Sequence, residues 1–188
     1  MAFVTREDIL QTFEGLTQHL FQTLLNIELG EFPRMSYDDA MIRYGSDKPD
    51  VRFGMEFVEF NDLAKGHGFQ VFDDAELIVG ICVPGQAETY SNKMLNDLTD
   101  WVKRPQIGAK GLVNIKVQSD GTIKSSISKY YTDEQLKSWG EKAGAGPNDM
   151  LLILSGETDK VRKQLNELRL EMGNRLGLRT PGTFKPLW

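Results

Sequence analysis

Hydrophobic positions near the start of the chain recur every three or four residues: Ile9, Phe13, Leu16, Leu20, Leu24 and Ile27, with Leu10, Phe21 and Leu25 widening the stripe. Thr5 and Asp8 stand at capping-box spacing before it, and Gly30 and Pro33 follow it, so the pattern predicts a helix bounded by those residues. So much apolar surface has to pack on something. A second, short helix is expected from Ser36, with Asp39 at the capping spacing. Tyr37, Met41 and Tyr44 share one side, and Gly45 sits at the left-handed position that ends it. Residues 44–50 read as a loop and residues 51–58 as extended chain. Residues 61–65 read as a single helical turn closed by Gly66 and Gly68.

After Gly68 the period changes. Residues 69–71 read as a short strand and residues 76–83, rich in Leu, Ile and Val, as a longer one ended by Pro84-Gly85. Ser91 caps a helix with Met94, Leu95, Leu98, Trp101 and Val102 on one face. Residues 112–117 form a strand, Ser119-Asp120-Gly121-Thr122 a hairpin turn with an Asp-Gly core, and residues 122–127 its partner. Thr132 and Gln135 open another helix, whose buried face carries Leu136 and Trp139. Residues 150–154 are a fully apolar strand, and Thr158 starts a last helix carrying Val161, Leu165, Leu168, Met172 and Leu176, ended by Gly177. This order predicts an α+β fold: a two-layer sandwich with a mostly antiparallel sheet and helices on one face. The strand-poor start belongs to something different, with the boundary between Ser46 and Glu59.

Length and composition narrow the setting. The 188 residues, 40% hydrophobic and 26% charged, suit an ordinary globular chain of about one domain and exclude a disordered tail, a collagenous fibre and a membrane bundle. A single cysteine, Cys82, excludes an internal disulfide and reads as a buried, inert thiol. There is no cationic start followed by a long apolar run, no stretch long enough to span a bilayer and no Asn-x-Ser/Thr sequon, so a reducing cytoplasm is expected. A net charge of −5 argues against a basic face over the whole chain while leaving room for a local basic stripe.

Candidate chemistry is sparse. His19 lies inside the first helix and His67 between two glycines; with one Cys they make no zinc spacing. Gly-x-Ser-x-Gly and phosphate-loop patterns are absent, and Gly108-Ala109-Lys110-Gly111 is too short to cradle phosphates. Asp38-Asp39 and Asp73-Asp74 are sequence neighbours that point apart, which suits capping and turns rather than a two-carboxylate site. The last helix gathers Lys160, Arg162, Lys163, Arg169, Arg175 and Arg179 among Glu157, Asp159, Glu167 and Glu171. One reading is a solvated face laced with pairs such as Lys163–Glu167 and Glu171–Arg175; the sharper one is contact with RNA phosphates. Lys124, Lys129, Tyr130 and Tyr131 form a second basic-aromatic grouping. No catalytic residues stand out, and local chemistry alone points to a binding or spacer domain.

Several stretches together resemble a known family. Arg43-Tyr44-Gly45-Ser46-Asp47-Lys48-Pro49-Asp50-Val51-Arg52-Phe53 is similar to a signature of bacterial-type aspartyl-tRNA synthetases. Ile107-Gly108-Ala109-Lys110-Gly111-Leu112 resembles the entry to their hairpin. Leu168-Arg169-Leu170-Glu171-Met172-Gly173-Asn174-Arg175-Leu176-Gly177-Leu178 resembles the helix closing their insertion domain. Met1-Ala2-Phe3-Val4 resembles the end of the class II motif 2 strand, and Lys185-Pro186-Leu187-Trp188 the strand returning to the catalytic core. The resemblance runs end to end.

It implies a chain lying between class II motifs 2 and 3 of a longer, homodimeric, cytoplasmic enzyme that uses ATP and Mg2+ to activate aspartate and esterify tRNA-Asp. The motif residues that bind ATP, aspartate and magnesium would lie outside this chain, which would then be inactive and monomeric alone, with no cofactor or metal of its own. The implied division is residues 1–50 as a flank of the catalytic core, 51–179 as a GAD-type insertion with a β2-α-β2-α core, and 180–188 as a return linker. Without the rest of that core, apolar surface is expected to stay exposed near Phe13, Leu20 and Leu24. Candidates for RNA or partner contact are Lys160, Arg162, Lys163, Arg169 and Arg175. The alternative from another class is a stand-alone RNA- or protein-binding α+β module of tRNA metabolism.

Overall fold

A computed structural model describes residues 3–188; Met1 and Ala2, half of the opening match, lie outside the described residues. Helix α1 spans Arg6–Leu25, and Thr5 closes the expected capping box with Asp8. It ends earlier than the stripe suggested, because Asn26 turns left-handed (φ 53°) and takes Ile27 off the helix. Helix α2 spans Tyr37–Tyr44, capped by Ser36 and stopped by Gly45 at φ 70°. Its buried residues are Ala40 and Tyr44, one turn apart, while Tyr37 points to solvent. Residues 51–57 stay irregular, and only Val58–Glu59 pairs, as β1.

The rest follows as α3 Asn61–Ala64, α4 Gln70–Asp73, β2 Leu77–Val83, α5 Asn92–Lys103, β3 Val113–Val117, β4 Ile123–Ser125, α6 Asp133–Lys142, β5 Met150–Gly156 and α7 Thr158–Arg175. Residues 69–71 are the one misread element type. They lead into the helical turn α4, because Phe72 is buried and Phe69 packs edge-on against it, with ring centroids 4.7 Å apart. Three residues hold too little periodicity to distinguish that from a strand.

The sheet runs β1-β2-β5-β3-β4, with all recorded pairings antiparallel. The α+β class and antiparallel sheet agree with the sequence pattern; the layering is richer than one helical face. Leu77, Val79, Ile81 and Val83 of β2 and Met150, Leu152 and Leu154 of β5 pack against α5 and α7. On the other face Ile78, Ile115, Leu151 and Ile153 pack against α3, α4 and α6, where Phe60 stacks on Trp139 at 5.1 Å. The two central strands are therefore covered on both sides, which is why they are continuous apolar runs rather than alternating ones.

The first and last segments form a flank beside this sandwich. Met35 N–H donates to the Trp188 carbonyl (2.7 Å) and Trp188 N–H to the Pro33 carbonyl (2.8 Å). Glu14 of α1 accepts from the Phe32 amide (3.2 Å) and the Trp188 indole (3.1 Å), and Phe21 meets Phe184 edge-on at 4.9 Å. No residue of α1 is buried. Phe13, Leu16, Leu20 and Leu24 are exposed, Leu24 by 73%, the exposure near Phe13, Leu20 and Leu24 that the family resemblance implied.

Candidate functional site

The chemistry-rich segment at residues 43–56 is folded against α7. Arg169, in the middle of α7, is fully buried. Its Nε donates to the carbonyls of Gly54 and Met55 (both 3.1 Å), and its Nη2 to those of Asp50 (2.9 Å), Phe53 and Gly54 (both 2.8 Å). The guanidinium carbon lies 4.1 Å from the Phe53 ring centroid and 4.8 Å from that of Tyr44, a cation–π setting that offsets part of its desolvation. Burial lowers its pKa, opposed by Tyr44, Asp50 and Glu56.

Around this rivet stand ion pairs. Asp50 accepts from Arg52 Nη2 (2.7 Å) and Arg179 Nε (3.0 Å). Hydrogen bonds from Arg52 hold its carboxyl well below the usual carboxylate range, against partial burial and with help from Arg179. Arg43 forks onto Glu56 (2.8 and 2.6 Å), and the Tyr44 hydroxyl donates to the same carboxylate at 3.0 Å. Arg43 keeps Glu56 ionised, while burial and then Glu56 push the Tyr44 phenol up. Arg162, also buried, donates to the Ile42 carbonyl (2.9 Å) and pairs with Glu59.

Of the five candidates for RNA or partner contact, Arg162 and Arg169 point inward and hold the 43–56 segment. The signal was available: Arg169 lies four residues after Leu165 and three before Met172, on the buried stripe itself. Lys160, Lys163 and Arg175 remain at the surface. Arg175 makes the expected i, i+4 pair with Glu171 (2.8 Å), and Lys160 pairs with Glu157 (2.5 Å).

The second basic grouping also splits. Tyr131 is buried and donates to the Ala64 carbonyl at 2.6 Å, and Lys129 lies over Tyr130. Lys124 is on the other face of the sheet, opposite Lys116 of β3. His67 packs beside Tyr131, ring centroids 5.0 Å apart, with Nδ1 3.3 Å from the Gln135 amide. Burial, with Asp149 beside it, pushes the half-buried Cys82 thiol up to about 12, which keeps it in the unreactive form. Among the described residues no group of three or more His, Cys, Asp or Glu is arranged to hold a metal, and no helix is long and apolar enough to cross a membrane.

The model of the GAD domain family matches residues 70–165. Aspartate–tRNA ligases of Bacteroides fragilis and Bacteroides thetaiotaomicron are each 58% identical over 190 aligned positions, and that of Flavobacterium psychrophilum is 55% identical over 188. Each alignment covers all of this chain and 32% of the relative, so the chain spans about a third of the length of the curated relatives it matches.

Proposed function

The chain belongs to the GAD domain family, and from that premise we propose that it is the insertion domain, with its flanks, of an aspartate–tRNA ligase. One observation carries this reading. The match to aspartate–tRNA ligases covers the whole chain, including both flanks outside the family model, at more than half identity. The parent enzyme would activate aspartate with ATP and Mg2+ to the adenylate and then esterify tRNA-Asp, in the cytoplasm and as a homodimer. Residues 1–50 and 180–188 would belong with its catalytic core and residues 51–179 with the insertion. The Trp188–Pro33–Met35 bridge supports grouping the first and last segments together.

The residues that bind ATP, aspartate and magnesium would lie in the parts of the enzyme outside this chain. The role of the side chains described above would be structural: Arg169 fastens the irregular segment around residues 50–55 to α7. Within that role the tRNA is the partner that a GAD insertion would meet. Charging of tRNA-Asp with labelled aspartate by the full-length polypeptide tests the reading. Esterification of aspartate in preference to the other amino acids is expected; charging with a different amino acid, or none by a folded enzyme, would overturn it.

A further inference from the structure

The β3–β4 hairpin carries two lysines that have hydrogen-bond partners but, among the described residues, no countercharge in an ion pair. A two-residue Asp120-Gly121 turn would place Lys124 opposite Val117. Instead residues 119–121 form a three-residue loop, with Gly121 left-handed at φ 82°, and the register sets Lys116 directly opposite Lys124. Like charges facing each other across neighbouring strands are unfavourable. Among the described residues neither ammonium is paired with a carboxylate. Lys116 donates to the Tyr90 carbonyl, and Lys124 to the Gln118 amide oxygen at 3.2 Å. Asp120, the acid within range of Lys124, is committed to Thr122 through its amide (2.9 Å) and hydroxyl (2.7 Å). Partial burial, then the nearby Lys124, lowers the Lys116 pKa, so two positive charges are held together at a cost.

The pair lies in a groove of about 240 Å3 between the hairpin and the start of α5, lined also by Asn92, Asn96, Asn114 and Ser126, with no acidic residue in its walls. The first turn of α5 contains no acid either, whereas α1, α2, α6 and α7 all carry one there. The partial positive charge of that helix end is therefore left uncompensated and adds to the lysines. The lining offers ammonium and amide donors and no aromatic ring on which a base could stack, which suits backbone contact rather than base reading.

We propose that this groove, built by Lys116, Lys124 and the α5 start, binds the phosphodiester backbone of RNA. The inference rests on the tRNA part of the reading above and adds which surface carries the contact: the hairpin shoulder in place of α7.

The test is fluorescence anisotropy of labelled tRNA-Asp with the 188-residue chain at 50 and 200 mM salt. Lys116→Gln/Lys124→Gln is expected to weaken binding by about tenfold at the lower salt and to reduce the log–log salt slope by about 2. Lys160→Gln/Lys163→Gln on α7 is expected to change it less than twofold. Lys124→Gln alone keeps Lys116 and its bond to Tyr90. It should weaken binding while leaving Tm unchanged or raising it by about one to three degrees, which separates binding from folding. Unchanged binding by the hairpin variant, no binding by the unmodified chain, or equally tight binding of poly-glutamate would each overturn the proposal. Failure of the ligase reading is distinguishable, because aspartate activation by the full-length enzyme needs neither lysine.

Discussion

Arg169 shows how one side chain can define a junction. A planar cation with five donors satisfies four backbone carbonyls, those of Asp50, Phe53, Gly54 and Met55, which hold no regular structure of their own. Arg169→Ala would strip those buried acceptors of their donor. We expect a loss of about 3 kcal/mol or more, read as a Tm lower by roughly 6 to 12 °C. Arg169→Lys should recover only part of it, since an ammonium can neither fork onto the carbonyls nor stack between Phe53 and Tyr44. If alanine cost under 1 kcal/mol in urea unfolding, the rivet would be incidental.

Asp50 gives the junction a pH dependence. Its carboxyl is depressed in the folded chain by Arg52. Its contribution is therefore complete above the ordinary Asp range near ~4 and is lost as pH falls toward the folded value. Asp50→Asn lacks it at every pH. The stability gap between the two proteins should be widest near neutrality and shrink on acidification below about pH 4; a gap constant from pH 7 to pH 3 would contradict this.

At the scale of elements, the chain is built from local signals where these are strong. Thr5–Asp8, Ser36–Asp39, Ser91 and Thr132–Gln135 each cap the helix that their spacing announced. Gly45 has a second duty beyond ending α2. A Cβ there would collide with the Arg162 carbonyl of α7 and come within 2.8 Å of the Phe57 ring, on a backbone at φ 70°. Gly45→Ala is expected to destabilise by about 2 kcal/mol or more and to loosen α2 from α7, seen as faster amide exchange in residues 40–45. Protection there equal to that of the unmodified chain would rule out the close approach.

What stayed hidden in the sequence was decided by tertiary contacts. The turn at residues 70–73 exists because Phe72 finds a pocket, and α1 stops at Asn26 by a backbone conformation its stripe did not encode. Two signals are nonetheless present in the sequence. The unbroken apolar runs of β2 and β5 mark strands covered on both faces, and the positions of Arg162 and Arg169 on α7 mark inward-pointing cations.

For the whole molecule, sequence carried the family further than local chemistry could. The 43–53 signature contains no catalytic constellation, and its physical content is a docking surface for α7. The signature, the hairpin entry and α7 are far apart in sequence, and the fold brings the first and last of them into one contact. The flank of α1 and residues 180–188 shows the other side of the same organisation. Its apolar stripe is exposed in this chain, as expected of a segment whose cover would come from the remaining two-thirds of an enzyme like its relatives. The facing of Lys116 and Lys124 stayed illegible because it depends on strand register: a shift of one residue at the hairpin decides whether two lysines face each other.

The most direct measurement is ATP–pyrophosphate exchange without tRNA, run on the full-length polypeptide that contains these residues and on the 188-residue chain in parallel. Exchange by the full-length polypeptide that depends on aspartate, with none by the chain alone, is expected if this is the insertion domain of an aspartate–tRNA ligase. Exchange supported by another amino acid in place of aspartate, or aspartate-dependent exchange by the chain alone, would contradict it.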